Sequence, residues 1–270
     1  MHIITADERM RERRGAKILV VGPTGVGKTS LLRTISHLER VLFIDVEAGD
    51  LSIFDLAIPT VQLDDWPTAR DLAYRIGGPH KSFPSTSCYS QAHYDAIGGA
   101  LPGLEHIDLL FVDSLTAIGR LCFRWSEQQP EAFSERTGRK DLRGAYGLHG
   151  REMLLWLNQL QHARGINVVF VGILEFVTDE FNRGTWQLQC EGGKTGRELP
   201  GIVDQIITMQ WVDFGDGKPP LRGFVCTAPN VWNYPAKDRS GRLEQIEEPH
   251  LGRLLSKLVM SKIAETGNAP

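Results

Sequence analysis

The sequence predicts an α/β fold: a mainly parallel central sheet with helices on both faces and a small C-terminal β extension. Three observations predict it. Apolar, β-branched runs alternate with helical stretches along the chain, the pattern of a parallel sheet covered by helices. Four of the five runs are nearly pure Val, Ile, Leu and Phe, as strands buried on both faces must be. The 270 residues, 41% hydrophobic and 23% charged, suit one large domain or two small ones and exclude a disordered, collagen-like or coiled-coil chain. No internal repeat or low-complexity linker divides the chain. The expected organisation is therefore an N-terminal extension over 1–15, a single domain over 16–260 and a flexible tail over 261–270.

The elements follow in order. Thr5-Ala6-Asp7-Glu8 reads as a capping box opening a short Arg-rich helix. That helix would either pack on a neighbouring subunit or stand exposed. Strands are expected over 17–21, 41–45, 109–113, 167–173 and 204–210. Helices are expected over 28–38, 66–76, about 90–100 and 150–164. In the last, Met153, Leu154, Trp156, Leu157 and Leu160 recur at helical spacing and read as core. Loops are expected over 77–87, 126–147 and 176–200, and a late β piece over 221–227.

Composition narrows the function. A net charge of −3 argues against coating nucleic acid by bulk positive charge and leaves room for a local basic groove. No apolar run approaches the roughly 20 residues of a membrane span. The basic start, Met1–Arg14, has no apolar stretch after it, so no secretory signal is expected. The four cysteines, Cys88, Cys122, Cys190 and Cys226, form no CxxC pair. They read as reduced thiols of a cytoplasmic protein without a membrane partner. The eight histidines show no metal spacing.

One segment carries chemistry outright. Gly22-Pro23-Thr24-Gly25-Val26-Gly27-Lys28-Thr29 fits G-x-x-x-x-G-K-[ST] without a mismatch, after an expected strand and before an expected helix. Glycines let the backbone curl so that several N–H groups face phosphate oxygens, and the helix start beyond, with Ser30, adds its dipole. Lys28 should reach the β- and γ-phosphates and the Thr29 hydroxyl should ligate Mg²⁺. A second segment, Ile107–Ser114, is an apolar strand ending in Asp113. An acid there sits at the ligand edge of an α/β sheet and would hold Mg²⁺ through water. A third, Leu42–Asp50, is a strand ending in Asp45 and Glu47. A carboxylate beside the γ-phosphate can orient and polarise an attacking water, with Asp45 standing behind it as the other possibility. The N-K-x-D signature of guanine recognition is absent, so ATP is the expected nucleotide.

With these segments in hand, the chain resembles the phage-type nucleotide-binding ATPases with a RecA-like core, a group that includes single-strand annealing proteins of phage recombination. The resemblance runs from about Ala16 to Leu258. It rests on the phosphate loop, Phe43–Gly49, Asp64-Asp65-Trp66, Leu110–Ser114, Leu199–Ile207 and Tyr234–Leu243. It implies a RecA-like P-loop fold whose phosphate-loop strand lies between the fifth and fourth core strands. It also implies ATP hydrolysis coupled to homo-oligomer assembly, often on single-stranded DNA, with a single-strand DNA-binding protein as a further possible partner. By the resemblance Glu47 activates water. Lys237 and Arg239, a K-x-R pair after the fifth strand, would reach the γ-phosphate held by the adjacent protomer.

The chain departs from that pattern where the fourth strand usually ends in Gln or His. Here it reads Val171-Gly172-Ile173-Leu174-Glu175, and Glu175 is the only polar candidate in that run. The segment after it, where relatives place a mobile DNA-binding loop, carries Arg183, Trp186, Lys194 and Arg197. Cations there can neutralise phosphates and an aromatic can stack on a base. A second basic cluster is Arg136, Arg139, Lys140 and Arg143. Two other readings stay open: a small-molecule or nucleoside kinase using that second cluster as a lid, and a nucleotide-gated binding module with little turnover.

Overall fold

The computed structural model describes residues 3–259 except 13, 80–81, 179, 214–216 and 218. The flexible tail expected over 261–270 lies outside the described residues. Helix α1 (Ala6–Arg11) opens on the expected capping box: Glu8 N donates to Thr5 Oγ1 at 3.2 Å and Thr5 N to Glu8 Oε2 at 2.8 Å. Strand β1 (Lys17–Gly22) leads into the phosphate loop. There follow β2 (Val41–Asp45), the short β3 (Thr60–Gln62), α2 (Trp66–Gly77), α3 (Gln91–Ala96) and β4 (Leu109–Asp113). Side chains cap these helices: Asp65 Oδ1 accepts from Thr68 N at 2.8 Å, and Ser90 Oγ from His93 N at 3.2 Å. Next come α4 (Leu115–Ser126), α5 (Leu142–His162), β5 (Asn167–Thr178), β6 (Gly184–Leu188) and α6 (Gly193–Ile202). The chain closes with β7 (Gln205–Val212), β8 (Leu221–Val225), β9 (Lys237–Asp238), β10 (Ile246–Glu247) and α7 (Leu251–Val259).

The main sheet runs β10-β8-β7-β1-β5-β4-β2-β3, with β6 added to β5 and β9 to β7. From β7 to β3 every pairing in that order is parallel; β8 and β10 join antiparallel. The phosphate-loop strand therefore lies between the fifth and fourth core strands, the order that the resemblance implies. The period of two along each strand sorts the core into two faces. Leu19, Val21, Leu42, Ile44, Leu110 and Val112 meet Trp66, Trp156, Leu157 and Leu160 of α2 and α5 on one side. Ile18, Val20, Phe43, Phe111 and Val169 meet Leu31, Leu32, Leu251 and Leu254 on the other. Each large aliphatic side chain so buried contributes about 1.5–3 kcal/mol. Among the described residues no helix is long and apolar enough to cross a membrane, and all four cysteines are free thiols.

Three expectations need correction. The helix expected over 28–38 is instead a 3-10 turn, Thr29–Thr34, with a second at Leu38–Arg40. Thr34 Oγ1 donates back to Leu31 O at 2.6 Å and accepts from Leu251 N at 2.8 Å. The side chain thus competes with continued helix bonding and ties the turn to α7. The loop expected over 126–147 is shortened, because Asp141 Oδ1 accepts from Arg143 N at 3.0 Å and starts α5 at Leu142. The loop expected over 176–200 is mostly ordered. β5 continues past the sheet and returns as β6, Leu174 facing Leu188 and Thr178 facing Gly184. Helix α6 follows, with Pro200 inside its last turns. Pro200 reads as a helix breaker in sequence, which is why α6 escapes a local reading.

Candidate functional site

Register brings the chemistry to one edge. Val21 pairs with Gly172 on one side and Thr208 on the other, and Asp45 pairs with Asp113 across β2 and β4. The carboxyl ends of the core strands finish together there, the place where open α/β sheets bind ligands. From Gly22 the backbone turns through Gly25 (φ 80°) and Gly27 (φ 97°). Both values lie in the left-handed region that side-chain-bearing residues avoid. Val26 between them is buried and anchors the loop in the core. Pro23 O accepts from Val26 N at 3.4 Å, and Lys28 Nζ reaches back to Gly22 O and Pro23 O, both at 2.9 Å. Burial holds the Lys28 ammonium below its ordinary pKa, against the pull of Asp113 and Glu47.

Next to the loop, Thr29 Oγ1 donates to Asp113 Oδ2 at 2.5 Å. Burial raises the Asp113 carboxyl above the usual range, and the Thr29 hydrogen bond opposes the rise. Asp45 Oδ1 accepts from Glu47 N at 3.2 Å and Gly49 N at 3.4 Å, so Asp45 shapes the turn that presents Glu47. Its other oxygen, Oδ2, is buried without a partner. Glu47 is exposed, and Ser114 Oγ donates to its Oε1 at 2.6 Å. Thr24 of the phosphate loop and Glu47 line one pocket of about 670 Å³, with Val46, Arg120, Arg124 and Glu191 among its other walls.

These residues fit Mg²⁺. Among the described residues no group of three or more His, Cys, Asp or Glu could enclose a metal. A hydroxyl–carboxylate pair such as Thr29 and Asp113, leaving the other positions to phosphate and water, is the arrangement that Mg²⁺ takes. The orphaned Asp45 Oδ2 adds negative potential behind the pair.

Ser114 is a site residue that local reading does not single out. It also caps α4, accepting from Ala117 N at 3.1 Å. Its signal in sequence is the serine directly after Asp113, at a strand-to-helix junction. At the end of β5, Glu175 is not the sole polar group. The β6 return brings Gln189 beside Ile173, with Gln189 N donating to Ile173 O at 2.8 Å. Thr116 Oγ1 accepts from Ile173 N at 3.2 Å and donates to Gln189 O at 3.0 Å. Arg120 donates to the Gln189 side chain at 3.2 Å, while Glu175 accepts from Gln187.

The remaining candidates lie apart from this pocket. Strand β9 pairs with β7 at Gln205 and Ile206, the opposite end of the sheet from the phosphate loop. There Lys237 Nζ donates to Pro200 O and, at 2.8 Å, to Val203 O. Arg239 donates to Asp204 Oδ1 at 3.0 Å and Gly201 O at 3.2 Å. Both cations thus meet the carbonyl end of α6, where positive charge is favoured. Within one chain they do not touch the nucleotide site. Arg183 stands at the turn between β5 and β6, its guanidinium 5.2 Å from the Phe181 ring centre. Lys194 and Arg197 lie on α6 at the other end of that hairpin, roughly 17 Å of extended strand away. Lys194 lines a 310 Å³ pocket with Tyr146, His149 and Thr195. Trp186 is packed between Phe176 and Tyr234, at 5.0 and 5.4 Å between ring centres. Arg136, Arg139 and Lys140 lie in a turn closed by the Phe133–Lys140 bridge. None of them lines the pocket of Thr24 and Glu47.

A glycine-rich loop with the G-x-x-x-x-G-K-T pattern, followed by a hydroxyl–carboxylate pair at the carboxyl edge of a parallel sheet, defines the class: a P-loop ATPase domain. The AAA-domain family model matches residues 14–240, and the chain belongs to that family. No curated protein matches the chain. Among solved structures it is similar to the RadB recombinase, with 17% identity over 79% of this chain and 80% of that one, at a TM-score of 0.39. It is similar to a KaiC-like protein from Pyrococcus horikoshii at 14% identity, 78% of each chain and a TM-score of 0.34. It is also similar to an ATPase from the type III secretion system of pathogenic bacteria, at 18% identity and a TM-score of 0.38. That match takes in 73% of this chain and 51% of the secretion ATPase.

Proposed function

We propose that this chain is a Mg²⁺-dependent ATPase that acts as a homo-oligomer on single-stranded DNA in phage-type recombination or annealing. The observation that carries the hydrolytic part is the shared pocket: the phosphate loop supplies Thr24 to one wall and the turn after β2 supplies Glu47 to another. In this reading the loop N–H groups and Lys28 neutralise the phosphates, and Thr29 and Asp113 hold Mg²⁺, which when bound adds charge neutralisation at the γ-phosphate. Glu47, held by Ser114, takes the proton of the attacking water. The bond from the γ-phosphorus to the bridging oxygen breaks, and ADP and phosphate leave. The DNA part is supported by the resemblance and by Arg183, Lys194 and Arg197 on the β5–β6 hairpin and α6. The oligomer is supported by the resemblance, which gives Lys237 and Arg239 a role at another subunit's site.

The test is ATP turnover with and without single-stranded DNA, on the wild type and on Lys28→Ala. DNA-stimulated phosphate release that Lys28→Ala abolishes is the expected result. Tight ATP binding with no release would make the chain a nucleotide-gated binder, and phosphate appearing on an added acceptor would make it a kinase. A folded Lys28→Ala protein that binds ATP as the wild type does would overturn the phosphate-loop assignment.

A further inference from the structure

The β7–β8 pairing sets Trp211 directly opposite Arg222. The Arg222 guanidinium lies over the Trp211 ring, 5.9 Å from its centre, and Trp211 itself is 56% exposed. From that platform the arginine reaches the phosphate loop. Its Nη1 donates to Val26 O at 3.4 Å. A Cβ placed on Gly27 would come within 2.6 Å of the same nitrogen. The cation therefore rests on the residue immediately before Lys28, beside the loop and outside the lining of the Thr24–Glu47 pocket.

Its other contacts leave it largely unspent. Arg33, Arg40, Arg164 and Arg239 each pair with a carboxylate. No carboxylate among the described residues pairs with Arg222. One long bond to a neutral carbonyl uses one of five guanidinium donors. The aromatic face attracts the cation and holds it beside the loop, so little ordering remains to be done when an anion arrives.

We infer that Arg222 is a phosphate-binding residue of the nucleotide site, supplied in cis from β8. This rests on the phosphate-loop reading above. Gly27 is then glycine for two reasons: its backbone is left-handed, and any side chain there would displace the guanidinium. Trp211 acts through Arg222 as a positioning residue.

The test is binding by calorimetry of ATP and of inorganic tripolyphosphate to wild type, Arg222→Gln, Arg222→Lys and Lys28→Ala, at several salt concentrations. A hydrogen-bonded charge implies that Arg222→Gln weakens both ligands by about 10- to 100-fold and flattens the salt dependence, with Arg222→Lys recovering part of the loss. A role limited to bracing the loop leaves the salt dependence unchanged, and that result overturns the inference. Loss confined to ATP, with tripolyphosphate unaffected, also overturns it by moving the guanidinium to the ribose or base. Normal binding by Arg222→Gln beside failed binding by Lys28→Ala refutes Arg222 alone. Wild type and Lys28→Ala that bind alike remove the phosphate-loop reading and this inference together.

Discussion

Ser114→Ala separates the two jobs of one hydroxyl. In the structure Ser114 Oγ donates to Glu47 Oε1 at 2.6 Å and accepts from Ala117 N at 3.1 Å. Loss of the cap costs about 1 kcal/mol. The bond to Glu47 adds less than a buried charged pair would, about 0.5–1 kcal/mol, because that carboxylate faces solvent. Stability should therefore fall by about 1.5–2 kcal/mol, read as a shift in urea midpoint with the slope unchanged. Turnover should fall further than stability explains. Among the described residues Ser114 is the only side chain that donates to the Glu47 carboxylate, so its loss frees that carboxylate to leave the position that the proposed mechanism requires. A tenfold loss in single-turnover hydrolysis, equivalent to about 1.4 kcal/mol of barrier, is expected with ATP affinity unchanged. Glu47→Gln, which keeps the shape and removes the basicity, should cost about 10²-fold or more. Adding Ser114→Ala to it should then cost nothing further in rate. Full activity of a folded Ser114→Ala protein, or additive losses in the double variant, would refute the positioning of Glu47 by Ser114.

Arg239→Ala and Glu47→Gln should each be nearly inactive alone and regain ATPase when mixed, because a wild-type Glu47 can then meet a wild-type Arg239 across a head-to-tail interface; no recovery in a co-assembled mixture would remove the trans role. Lys194→Ala with Arg197→Ala should weaken single-stranded DNA binding and reduce the log–log salt slope by about 0.7 per lost contact; an unchanged slope returns the pair to solvent. Burial lowers the Lys17 ammonium from 10.5 to about 8, so the unfolded chain binds more protons between those values. Stability should consequently rise with pH across that window, by roughly 3 kcal/mol. Urea titrations at both ends, repeated on Lys17→Met, would show the rise disappear in the variant; a wild type whose Lys17-dependent stability falls with pH would contradict the assignment.

The alternation of buried runs was enough to predict the parallel sheet, because strands covered on both faces must be apolar at nearly every position. The phosphate-loop motif was equally legible, since its glycines, lysine and hydroxyl stand within one short run of chain, Gly22–Thr29. Asp113 and Glu47 stood out for the same local reason, one closing a buried strand and the other just past the end of one. What escaped was set by pairs far apart in sequence. Ser114 and Glu47 are separated by 67 residues, and Arg222 and Val26 by 196. The hairpin that puts Gln189 beside Ile173 looked like a loop, because its glycines and charges resemble turn chemistry and its register appears only once β5 extends beyond the sheet. Lys237 and Arg239 could be recognised as a paired motif, but their resting place against the end of α6 depends on β9 adding to β7. Local composition specified the strands and the candidate phosphate-binding residues. Only strand order and register, fixed by burying two apolar faces at once, decided which of those residues stand within a hydrogen bond of one another.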